Sequence, residues 1–126
     1  MASAATCRGI QGQIREAESE IAKLTVKFDL LTQLIRERIA ELQGLPRDIR
    51  PPDNIIASIN AMARARRHLQ NLPDPQRGEV QDAIDLTYAV DTALSDASEV
   101  SNQRLDWQGE LFGLRTLYAQ DCRAPV

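Results

Sequence analysis

Aromatic residues are scarce in this chain, 4% of 126 residues, and there is one histidine. A core must therefore come from aliphatic side chains. With His68 alone, a multi-histidine metal site is excluded, and no Cys–His or Ser–His pair is supported by spacing. No glycine-rich phosphate loop occurs. No stretch approaches the twenty apolar residues of a membrane span, and the N-terminus lacks the basic start and apolar run of a signal peptide. These absences remove the usual routes to catalysis, cofactor binding and membrane insertion, and the chain reads as a soluble, non-enzymatic protein.

What is present is helical patterning. Ala, Leu, Ile, Glu, Asp, Gln and Arg dominate, the composition of an all-α protein. From Cys7, a stripe at spacings of three and four runs through Ile10, Ile14, Ala17, Ile21, Leu24, Phe28, Leu31 and Ile35 without polar interruption. Arg38 then interrupts it before Ile39 and Leu42. That is a coiled-coil-like seam on one helix over about 4–43, with Ser3 or Thr6 as N-cap, Gly44 as C-cap and Pro46 as stop.

Residues 44–54 hold three prolines and read as a linker. Asp53 or Asn54 would cap a second helix over about 55–71, with Ile55, Ile56, Ile59, Met62, Ala63, Leu69 and Leu72 as its apolar positions. A loop at 72–78 follows. A third helix over about 79–122 carries Ala83, Leu86, Val90, Leu94, Ala97, Val100, Trp107, Leu111, Leu114, Tyr118 and Cys122 on one stripe, with Arg104 its only polar member. Ser95–Glu99 could equally cap a fresh helix there. The two long helices match in length, so the expectation is one all-α domain over 1–126, a long antiparallel hairpin with a short middle helix.

That hairpin brings Cys7 and Cys122 to the same end. A disulfide closing so long a loop would stabilise by roughly 4–5 kcal/mol on the chain-entropy model, whereas cytosolic chains rarely keep one. The two are read here as buried thiols, with the bond as the competing reading.

Charge is uneven under a net −3. Residues 46–78 carry six Arg against three Asp, and 79–126 carry nine acids against three Arg. The simpler reading is that these segments pair with one another, since overall acidity would repel a phosphate backbone. Arg66 falls on the apolar stripe of the second helix and needs a partner, for which Asp82, Asp85 or Asp91 is available. The row Glu79, Asp82 and Asp85 reads as a solvated face before it reads as a cation site. Trp107-Gln108-Gly109 repeats the triplet of the small secreted WXG helical hairpins. There the triplet marks the turn between two helices, and here it lies inside the third, so no membership is assigned.

One imbalance points to partners. Leu30 and Leu34 form a second apolar flank on the first helix, and Ile84 one on the third, where the short helix could lie. Near Cys7 to Leu24 and Leu105 to Cys122 only two helices are available. Yet Leu105 and Phe112 add apolar surface there, off the main stripe, beside the small-residue notch of Gly109 and Gly113. Leu105, Phe112, Gly109 and Gly113, with Ile10 and Ile14, are the expected protein-binding residues.

The expected function is a helical subunit or adaptor of a larger bacterial or phage assembly, such as a virion or tail component. Thirteen Arg against two Lys fit a GC-rich genome of that kind. The partner would be a protein, self or other, with no cofactor, metal, small-molecule substrate or membrane. The location would be the cytoplasm or a virion or secretion-type particle. A helical immunity protein, inhibitor or secretion chaperone is the alternative, and nucleic-acid binding through the basic 64–68 segment is a second.

Overall fold

A computed structural model describes residues 2–52 and 55–122. The described residues are 81% helix without strands, and the two long helices pack against each other with a short helix between them in sequence. They are α1 (Ala4–Gln43), α2 (Ile59–Gln70) and α3 (Gly78–Asp121).

Helix α1 starts where expected. Ser3 caps it, its Oγ accepting the Thr6 N–H at 3.1 Å and its carbonyl accepting the Cys7 N–H at 3.0 Å. Every position of the α1 stripe from Cys7 to Leu42 is buried or half-buried, so the seam faces inward throughout. At the other end the Gly44 N–H bonds the Ala40 carbonyl at 2.9 Å. No glycine has a positive φ, so Gly44 extends the turn without the left-handed cap expected of it. A Cβ there would lie 3.3 Å from the Ala40 oxygen, a tight contact that the turn would have to ease.

Helix α2 begins later than its pattern suggested. Ser58, extended at φ −148 and ψ 154, is the N-cap, its side chain accepting the Ala61 N–H at 3.1 Å. Asp53 and Asn54 lie outside the described residues. Ile56 and Ile59 are exposed, while Ala61, Met62, Ala65 and Leu69 are buried. Met62 and Leu69 face inward as expected, joined by Ala61 and Ala65, whereas Ile55 and Ile56 precede the Ser58 cap and Ile59 opens the helix on its exposed side.

Helix α3 is unbroken through Ser95–Glu99. Ser95, Asp96 and Ser98 are exposed and Ala97 is buried, so water solvates the polar side chains and the helix has no call for a new cap.

By proximity the residues form two compact units, and α1 and α3 contribute to both. Unit 1 comprises 1–28 with 99–126, and unit 2 comprises 29–98. In unit 1 the helices run antiparallel: Cys7 pairs with Cys122, Gln11 Nε2 donates to the Tyr118 hydroxyl at 2.7 Å, and the Arg104 guanidinium lies 5.0 Å from the Phe28 ring centre. Among the described residues its buried apolar side chains are Ile10, Ala17, Val100 and Leu111.

Unit 2 has a fuller core, including Ile35, Ile39, Leu42, Ile49, Met62, Leu69, Val80, Ile84 and Val90. A turn after Pro46, closed by Ile49 and Arg50 N–H groups on the Pro46 carbonyl, buries Ile49. His68 Nε2 stands 3.2 Å from the Ile49 carbonyl, tying α2 to this turn. Ile84 is buried as expected, but Leu30 is 62% exposed and Leu34 is exposed too. The short helix holds α3 through Arg66 and leaves that α1 flank uncovered.

Candidate protein-docking face

The face is built on α3 of unit 1, where spacing does the work. Leu105, Gly109, Phe112 and Thr116 follow one another at intervals of four, three and four, so they share one side of the helix. Leu111 is buried, and Trp107, Leu114 and Tyr118 are half-buried, on the opposite side. A helix with one inward stripe has only that stripe covered by a single neighbour, and the second stripe is left to solvent. Phe112 is 75% exposed and Leu105 60% exposed. A Cβ added at Gly109 or Gly113 would meet nothing within 4 Å. The helix backbone is bare there, beside a projecting ring. Thr116 turns its hydroxyl back to the Phe112 carbonyl at 2.9 Å, so it adds no free donor to the face.

The borders of the stripe differ in charge. Asp106 and Glu110 lie along one border and are exposed. On the other, Arg115 reaches Glu18 of α1 at 3.5 Å, both side chains well solvated. Leu117, also partly exposed, is an apolar neighbour that the stripe reading missed because it stands off the Leu105–Phe112 row.

Of the residues expected to bind a partner, the structure brings Leu105, Gly109, Phe112 and Gly113 together. Ile10 is buried in the unit 1 seam and Ile14 half-buried, so these two serve the internal packing. The cysteines are corrected as well: Cys7 and Cys122 are disulfide-bonded, with Cα atoms 5.7 Å apart, and are not free thiols. Compartment chemistry argued against that bond, and the antiparallel register decides it by bringing the two residues within reach.

The second cluster is in unit 2. Arg66 Nε donates to Thr87 Oγ1 at 3.0 Å, its other arm pairs with Asp91, and its guanidinium lies 3.8 Å from the Tyr88 ring centre. Thr87, fully buried, donates its own hydroxyl to the Ile84 carbonyl at 2.6 Å. The expected charge pairing of Arg66 thus falls on Asp91. Asp82 and Asp85 are exposed, with Asp85 accepting from Gln81 at 3.2 Å, because they sit on the other side of α3. Thr87 and Tyr88 carried no sequence signal as partners of an arginine. Near the same helix, Arg64 and His68 join Pro51, Pro52, Ile55 and Ala61 around a hollow of about 130 Å³.

Among the described residues no group of three or more His, Cys, Asp or Glu is placed to hold a metal ion. No helix among them is long and apolar enough to cross a membrane.

The fold and face together define an all-α helical protein with an uncovered apolar stripe. Compared with known proteins, the chain matches no family model, no characterised protein and no solved structure.

Proposed function

We propose that this chain is a non-enzymatic helical subunit or adaptor of a larger protein assembly, and that it docks through the α3 face of Leu105, Gly109, Phe112 and Gly113. The observation that carries this reading is Phe112, a phenyl ring 75% exposed on α3 and next to bare glycine backbone. Large apolar side chains grouped on one exposed face mark surfaces that meet another molecule. A bacterial or phage particle, such as a virion or tail, is the kind of assembly proposed.

Sedimentation of native extracts tests the reading. The chain is expected in fractions well above its own 14.0 kDa. Phe112→Glu is expected to return it to its own mass without lowering its melting temperature. Wild-type chain running at 14.0 kDa in the extract would overturn the proposal.

A further inference from the structure

We propose that the occupant of the α3 face is a basic amphipathic helix of a different protein, and not a second copy of this chain. The inference rests on the docking reading above and adds the chemistry of the partner.

Shape comes first. The distance between two packed helices is set by the side chains at their contact, and Gly109 and Gly113 put none there. A partner helix can seat against the α3 backbone, with Phe112 and Leu105 gripping its apolar side.

Charge then selects among partners. Asp106 and Glu110 border the stripe, both are exposed, and neither makes an ion pair among the described residues. On the opposite border Arg115 already has Glu18. Among the described residues the free charge at this face is therefore acidic, within a segment whose sequence holds nine acids against three Arg over 79–126. A partner with Lys or Arg beside its apolar stripe meets that border with opposite charge.

A second copy fits poorly in either orientation. A two-fold pair is isologous, each copy offering the same patch. Run antiparallel with the dyad near residues 110–111, Phe112 of one copy would cover Gly109 of the other. The same operation sets equal borders side by side, so Glu110 meets Glu110 at the dyad, and like charges so placed count against the pair. Run parallel, the acidic border escapes itself, but Phe112 stacks on Phe112 and the glycine notch faces its own copy unfilled.

Two synthetic helical peptides test this, each about 20 residues long with the same Leu and Ala stripe, one flanked by Lys and the other by Glu. Fluorescence anisotropy should show the Lys-flanked peptide binding roughly tenfold more tightly than the Glu-flanked one, with the preference fading as salt is raised. Asp106→Lys with Glu110→Lys should reverse the preference, and Gly113→Leu should abolish binding while helix content and melting temperature hold. Equal binding of the two peptides overturns the basic partner and leaves the docking face standing. Binding that survives both Phe112→Glu and Gly113→Leu overturns the face itself, and with it the reading above. Failure of both peptides to bind at millimolar concentration overturns the basic helix. Light scattering of the free chain should give a constant mass, and a mass that rises with concentration but not in Phe112→Glu would instead assign the face to a second copy.

Discussion

Unit 1 and unit 2 draw on the same two long helices and hold together by different means. Unit 2 adds α2 and a buried turn, and every one of the largest fully buried side chains lies in it: Leu42, Met62, Leu69, Val80, Val90 and Thr87. Unit 1 has two helices, four buried apolar side chains among its described residues, a disulfide and a few polar ties. A third helix turns half-burial into burial, and without it two facing stripes stay half-open. The comparison teaches that the covalent bond stands where packing is thinnest, and that the uncovered apolar face stands there too.

The largest effect should come from breaking that bond. Cys7→Ser with Cys122→Ser, or reductant on the native chain, is expected to cost roughly 4–5 kcal/mol by the chain-entropy estimate. Amide exchange should rise first across 4–28 and 99–121. Equal loss of protection in unit 2 would show that the two units open as one. Next is Leu69→Ala, fully buried in unit 2, expected to lose about 3 kcal/mol in urea unfolding through the cavity it leaves. A smaller loss for Leu111→Ala in unit 1 would sharpen the contrast, and a larger one would break it.

Arg66→Met is expected to lose about 2 kcal/mol, since it strips Thr87 of its donor and leaves the part-buried Asp91 carboxylate without its cation. An unchanged melting temperature would free Arg66 from its structural role and return it to the basic face of α2. The smallest expected effect has the opposite sign. Gly113→Ala sits in an open stretch of helix and should stabilise by up to about 1 kcal/mol. A destabilised Gly113→Ala would mean that the notch is already occupied from within.

Most of the helical framework was legible in the residues. The stripe from Cys7 to Leu42 predicts both the extent of α1 and its inward face, because a seam at three and four spacing has one helical solution. Phe112 and Leu105 were visible as apolar residues off the inward stripe. The start of α2 was not, since Ile55, Ile56 and Ile59 look like a helix face until a cap fixes where the helix begins, and Ser58 is as good a cap residue as Asp53 or Asn54. Nor could Ile10 be told from a partner-binding residue, because a seam position reads the same whether its neighbour belongs to the same chain or another. Arg66 announced its need for a carboxylate, but three aspartates at helical spacings answered equally well.

The sequence by itself determined the helices, the inward stripes and the uneven charge, since these follow from periodicity and composition along one chain. Tertiary structure alone decided which aspartate meets Arg66, that Leu30 stays exposed, and that Cys7 and Cys122 are joined. Those outcomes depend on the rotation of one helix about its axis and on the register between two. A shift of one residue turns a helical side chain by about 100°, which separates a buried partner from an exposed one.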